Sequence, residues 1–221
     1  MRYAHSKPAR PHRGHAPHAA GRWCPMRPLP PSLAAAIYRA AAPIAERGLD
    51  QTKSEDIAAA VGVPKATLYY YFISKEEILA HLLAEMLRLV KNAVADAATT
   101  PASARDRLTA VVHAQLEVMF QHPSMCRALI GELGRAGRIP EIADGIRAAF
   151  HTPVAQLITQ GTHDGTIRPG TDPATAASIL FGAVTITGLT HLVDQDNTHP
   201  SHIADNLLAI LLPGLAPPGQ A

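Results

Sequence analysis

The sequence predicts an all-α protein, in which three short helices precede a larger helical region. Three observations predict it. Apolar residues recur at three- and four-residue spacing, as in Leu79, Leu82, Leu83, Met86 and Val90, and again in Leu108, Val111, Val112, Leu116, Met119 and Phe120. Helix-start signals precede these runs, with Thr52 followed by Glu55 and Ser74 followed by Glu77. The 47% of apolar residues are largely alanine and leucine, aromatics are only 5%, and no stretch alternates as a half-buried strand does.

The first helix is expected from Ser32 to Arg47, stopped by Gly48. Pro43 lies inside it, removes a hydrogen bond to residue 39 and should kink the last turn. Thr52 and Glu55 form a capping-box signature for a second helix over Lys53–Ala60. Gly62 and Val63 make a turn, and Pro64 suits the first position of a third helix carrying Tyr69, Tyr70 and Tyr71. Successive helical residues point about 100° apart, so one core cannot hide all three rings. Ser74 and Glu77 open a long fourth helix. Short helices with a tight glycine-containing turn between the second and third match the helix-turn-helix plan.

Further along, Pro123, Pro140 and the stretch Gly165–Pro173 punctuate the chain. Pro153 either kinks a helix from about Glu141 or starts a new one. Asp172-Pro173 reads as a cap and first position for a helix to about Val193. A last helix spans about Ser201–Leu212. Residues 174–193 lack formal charge over twenty positions, the length of a membrane span. Their threonines, glycines and His191 point instead to a helix buried between a core and a partner, with no membrane role.

The formal net charge of +2 hides an asymmetry. Residues 1–31 hold seven prolines, six basic side chains (Arg2, Lys7, Arg10, Arg13, Arg22, Arg27) and no acid. Such a segment buries too little apolar surface to offset chain entropy, so a disordered tail is expected. It is either passive or a basic arm for phosphates. Cys24 and Cys126 make no disulfide framework. With no apolar run and cleavage site near the N-terminus, a cytoplasmic setting is expected.

The run from Ile37 to Leu79 resembles the DNA-binding domain of TetR-family transcriptional regulators. The resemblance rests on Gly48, on Thr52 followed by Asp56-Ile57-Ala58, on Gly62-Val63, Thr67-Leu68-Tyr69 and Phe72, and on Ser74-Lys75-Glu76, all at ungapped spacing. It departs from the family's habit at Pro43, in place of an aliphatic residue, and at Ala66, where glycine is common. The resemblance implies a basic tail at 1–31, a helix-turn-helix DNA-binding domain at 32–80, a ligand-binding and dimerisation domain at 81–213 and a C-terminal tail at 214–221. It implies a repressor that binds a palindromic operator in double-stranded DNA as a homodimer and is released by a small-molecule effector. The alternative is a helical small-molecule-binding protein without a specific DNA role.

In a helix-turn-helix the first residues of the recognition helix meet base edges in the major groove. Here those are Pro64, Lys65, Ala66 and Thr67, the last three being a donor to guanine, a small residue for close approach, and a hydroxyl with a methyl for thymine. By resemblance, Tyr69 contacts phosphate and Tyr70 reaches bases or sugars, while Tyr71 is half-buried with a phosphate contact possible. Lys75 at a helix start is expected to grip phosphate, and Thr52, Lys53 and Ser54 bring a further helix N-terminus to the backbone. Residues 32–80 carry five basic and six acidic side chains, an uncommon balance for a DNA reader.

In the larger region, Met86, Val90, Leu116, Met119, Phe120, Leu129, Phe150 and Phe181 are expected to line a pocket for an apolar or amphipathic effector. Ala176, Ala177, Gly182, Ala183, Gly188, Leu207 and Leu211 are the expected dimer interface, since small residues allow close helix approach. No hydrolase elbow, phosphate loop or zinc-protease motif occurs, and the 12 histidines are scattered. No catalytic residue, metal site or cofactor is therefore expected.

Overall fold

A computed structural model describes residues 27–131, 140–194 and 197–216, and the side chains of 129–142 are outside the description. Of the tail expected to be disordered over residues 1–31, residues 1–26 lie outside the described residues, as does most of the C-terminal tail, while Pro31 already opens a helix. Among these residues every regular element is helical.

Helix α1, Pro31–Ala36, passes through a 3₁₀ turn, Ile37–Ala40, into α2, Ala41–Gln51. The break corrects the expected single helix, and it falls upstream of Pro43 rather than in the last turn. Pro43 offers no N–H to residue 39, and its ring crowds that carbonyl. Tightening the preceding turn, where the Ala41 amide bonds back to Tyr38, accommodates both. Gly48, at φ 74°, then ends the regular part of α2 as expected.

Helix α3 spans Ser54–Val61 and α4 spans Lys65–Tyr71. Gly62, at φ 81°, closes the turn between them. Its amide bonds to Ala59, and that of Val63 bonds to Ala58, so the last carbonyls of α3 are satisfied. Pro64 caps α4 rather than occupying its first position. Leu68 and Phe72 face inward at 1% and 0% exposure, which fixes the rotation of α4 and therefore which side it presents outward.

Helix α5, Lys75–Thr99, runs without interruption across the expected boundary at residue 80. Ser74 caps it, accepting from the Glu77 amide at 3.3 Å. The Glu77 carboxylate returns to the amide of Ile73, one residue earlier than a capping box would use.

The remaining helices are α6 (Ala104–Gln121), α7 (Pro123–Gly131), α8 (Pro140–Ile146), α9 (Thr152–Asp164), α10 (Pro173–Asp194) and α11 (Pro200–Leu215). A π-helical turn, Arg147–His151, joins α8 to α9, so Pro153 both opens a helix and follows a distortion. Asp172 caps α10, accepting from the Thr175 amide at 2.8 Å. Although α10 is long and apolar enough to cross a membrane, it packs against α6, α7, α9 and α11.

The buried side chains form one cluster that includes residues from Leu33 to Leu208, so α1–α4 and the larger bundle share apolar packing through α5 and α7. A polar bridge accompanies it. The Tyr38 hydroxyl donates to Glu85 Oε2 at 3.1 Å, and Arg88 donates to the same oxygen at 3.0 and 2.8 Å. Burial, then the Glu85 carboxylate, raises the Tyr38 phenol above its ordinary pKa.

Candidate nucleic-acid interface and effector cavity

On α4, Tyr69 and Tyr70 are 39% and 52% exposed, whereas Tyr71 is half-buried against the core. Tyr71 also meets the Tyr70 ring edge-on at 5.0 Å. The Tyr69 ring is tied to the start of α3, because Ser54 Oγ and the Tyr69 hydroxyl are hydrogen-bonded. Lys65 Nζ lies 5.7 Å from the Tyr69 ring, and the Arg27 guanidinium lies 4.1 Å from the Tyr70 ring and donates to its hydroxyl. Lys65, Ala66 and Lys53 are exposed, and Thr67 is partly so. Arg27, Ser54, Lys65, Tyr69 and Tyr70 are thereby gathered on one face.

Two expected contacts have other roles. Thr52 does not cap α3. It is 1% exposed, and its hydroxyl points backward, within 3.0 Å of the Pro43 carbonyl and 2.7 Å of that of Gly48. The Gly48 carbonyl also accepts from the Thr52 amide at 3.2 Å, so the hydroxyl adds a second donor at the end of α2. The cap falls instead to Asp56, whose carboxylate accepts from the Lys53 amide at 3.2 Å. Lys75 does not extend into solvent. Its ammonium donates to the carbonyls of Leu49, Asp50 and Thr52 at 2.7, 3.1 and 3.2 Å.

The acidic residues that offset the basic ones are partly paired. Lys65 Nζ lies 2.6 Å from Glu55 Oε1, and Arg47 lies 3.0 Å from Asp56. The Lys65 hydrogen bond lowers the Glu55 pKa, and the same bond raises that of Lys65. Local sequence pattern does not reveal the Glu55–Lys65 pairing, because it spans ten residues and depends on how α3 and α4 cross.

A cavity of about 40 Å³ lies between α5, α6, α7, α10 and the π turn. Met86, Val90, Met119, Phe150 and Phe181 line it as expected, together with Leu87, Gln115, Cys126, Ile146, Ala149 and Thr185. Leu116 and Phe120 are not among the lining residues, and the Leu129 side chain is outside the description. Leu116 turns toward Gly188, where an added Cβ would lie 2.9 Å from Leu116 Cδ2. Burial pushes the Cys126 thiol up to about 12, so it is an inert wall rather than a reactive group. Beyond Phe150 and Phe181, whose rings are 5.4 Å apart, an open groove includes Arg147 and His151.

The small residues of α10 divide by face. Ala176, Ala177 and Gly188 are buried within the chain, and a Cβ on Gly188 would stand 2.6 Å from Met119 Cε. They serve the packing of α10 inside the bundle, which corrects their expected place in a dimer interface. Gly182 has open space around its Cα, and Ala183, Leu207 and Leu211 are half-buried. The outward apolar residues are Ile179, Ile186 and Val193 on α10, at 56%, 56% and 58% exposure, with Ile210 on α11 at 76%. Their seven-residue spacing was present in the sequence but masked by a helix apolar all round.

No group of three or more metal-ligating side chains occurs among the described residues.

Residues 36–82 match the family model described as bacterial regulatory proteins, tetR family. The chain is 24% identical over 195 residues to the fatty acid metabolism regulator protein of Bacillus subtilis, covering 86% of this chain and 98% of that one. Its fold is similar to that of the ketosteroid transcriptional regulator KstR2 of Mycobacterium tuberculosis, with a TM-score of 0.72 at 24% identity over 86% of this chain and 97% of that one. It is also similar to the regulator FadR of Bacillus subtilis in complex with stearoyl-CoA, with a TM-score of 0.70 at 24% identity over 82% and 99% of the two chains.

Proposed function

We propose that this chain, whose residues 36–82 match the model of bacterial regulatory proteins of the tetR family, is a repressor that binds a palindromic operator as a homodimer and is released by a small apolar or amphipathic effector. The observation that carries this is the outward face of α4, where Lys65, Tyr69 and Tyr70 are exposed while Leu68 and Phe72 hold the helix in place. Such a face combines a donor for base edges with neutral hydroxyls that fix register on phosphates. Thr67, Ala66, Lys53 and Ser54 extend it. Thr52 contributes through its position next to Lys53 and not through its side chain. Tyr71 and Lys75 hold the frame. One such unit reads few base pairs, so two copies related by a two-fold axis are required for a palindrome. The Ile179–Ile186–Val193 stripe and Ile210 supply the surface that joins them. The setting is cytoplasmic.

The release mechanism follows from α5 and α7. Met86, Leu87 and Val90 of α5 line the cavity, and the start of the same helix directly follows α4. Cys126 of α7 also lines it, and α7 packs on α2. At about 40 Å³ the cavity takes a ligand chain only if methionine and phenylalanine side chains yield and α5 shifts. A ligand that binds the shifted arrangement more tightly moves the population away from the DNA-spaced dimer. The apolar cavity beside a groove with Arg147 and His151 suits an apolar body with a polar head, and the stearoyl-CoA complex of the similar regulator makes acyl thioesters the first class to try.

The deciding experiment is a titration of the purified protein against genomic fragments, with the retained DNA sequenced. Enrichment of one palindrome, reversed by an acyl thioester, supports the proposal. Binding that is salt-sensitive but indifferent to sequence would sink it and favour a ligand-binding protein without an operator.

A further inference from the structure

The effector cavity has one chemical feature that its apolar walls do not explain. Gln115 of α6 lines it and is 3% exposed. Its Nε2 donates to Thr185 Oγ1 of α10 at 3.0 Å, while its Oε1, fully buried, has no hydrogen-bond partner among the described residues. Leaving a buried carbonyl oxygen unmatched is destabilising, and a leucine of similar volume would avoid that cost. The other lining side chains are aliphatic, aromatic or methionine, with the thiol of Cys126, so the amide and Thr185 are the strong hydrogen-bonding groups of the wall.

We propose that Gln115, held by Thr185, is the specificity determinant of this cavity and selects an effector whose apolar body carries a hydroxyl, the hydroxyl donating to Gln115 Oε1. The inference rests on the reading of the cavity as the effector site. An acceptor fixed at one point along an apolar wall fixes the position of the hydroxyl on the ligand. A ligand without the donor leaves Oε1 desolvated and unpaired, which is the condition under which sites discriminate most strongly between analogues. Thr185 acts as a positioning residue, since it touches the amide nitrogen and holds the oxygen's direction.

The test uses two isomeric probes, decan-1-ol and 1-methoxynonane, which share size and apolarity but differ in the donor. Binding to the full chain is measured by calorimetry for wild type, Gln115→Leu and Thr185→Val. The expected result is that wild type prefers the alcohol by about tenfold. Gln115→Leu should lose that preference while still binding the ether, and Thr185→Val should reduce it. Equal affinity of wild type for the two isomers, or a preference that survives in Gln115→Leu, overturns the role of Gln115 and leaves the cavity reading intact. Binding of neither isomer by wild type overturns the cavity as an effector site and this inference with it. If Gln115→Leu fails to fold, Thr185→Val decides, an unchanged preference being the overturning result.

Discussion

The ammonium nitrogen of Lys75 lies 2.7 Å from the carbonyl oxygen of Leu49, joining the first residue of α5 to the end of α2. The carbonyls of Asp50 and Thr52 complete its set at 3.1 and 3.2 Å, so three donors meet three acceptors. Lys75→Met should lower stability by about 1–3 kcal/mol, because these carbonyls lose a charged donor. The salt dependence of DNA binding should stay the same, since no phosphate partner is removed. Denaturant unfolding and a salt titration read the two effects separately, and a shallower salt slope at unchanged stability would return Lys75 to the phosphate backbone.

Lys65 is shared between Glu55 and its proposed DNA contact. Lys65→Ala should weaken operator binding roughly ten- to a hundredfold. Glu55→Gln should strengthen it several-fold, because it frees the ammonium and removes a negative charge near the groove. The thermal midpoint of Glu55→Gln should not move, as exposed ion pairs contribute little to folding. Fluorescence anisotropy on one operator fragment compares all three proteins. Weaker binding by Glu55→Gln would mean that the pair positions Lys65 rather than competing with DNA.

Two substitutions on α10 should separate assembly from packing. Ile186→Arg places a charge in the exposed stripe and should give folded monomers by analytical ultracentrifugation. Gly188→Val puts its Cβ 2.6 Å from Met119 Cε and should cost about 1–3 kcal/mol of stability with the dimer retained. A dimer that survives Ile186→Arg would move the interface to another face.

Stability should fall as the solution is acidified below the ordinary histidine range, and His81 should contribute. Burial lowers its pKa from 6.5, against an opposing pull from Glu85. Between the unfolded and the depressed folded pKa the folded state therefore binds fewer protons, so stability is lost as pH falls from about 6.5 through the folded pKa and levels off below it. In His81→Phe, the loss of thermal midpoint between about pH 7 and pH 5 should be smaller than in wild type. Parallel curves would assign the acid sensitivity elsewhere, with His151 next in line because burial lowers it too.

The helices and the outward tyrosines are legible in the sequence for reasons local to the chain. Spacing of Leu68 and Phe72 four apart determines which side of α4 is hidden, and a glycine at φ 81° determines the turn before it. The capping of α5 by Ser74 is likewise a matter of three residues. What local pattern does not reveal is where the side chains of Thr52 and Lys75 end up across helices. Thr52 reads as a cap in one dimension, yet its hydroxyl turns back to the carbonyls of Pro43 and Gly48 in α2. Lys75 reads as a phosphate ligand, yet the end of α2 is brought within reach of its ammonium. Ala176, Ala177 and Gly188 read as an interface because α10 is apolar on all sides, and periodicity cannot say which apolar side faces its own bundle.

By itself the sequence determined the helical class, the order of the elements and the aromatic face of α4, since each depends on residues within one or two turns of one another. The tertiary structure decided the Glu55–Lys65 pairing, the carbonyl cluster under Lys75, the Ile179–Ile186–Val193 stripe and the buried Gln115–Thr185 contact, whose partners are 70 residues apart. Those depend on how helices cross, and crossing is set by the packing of a whole core rather than by any local run of residues.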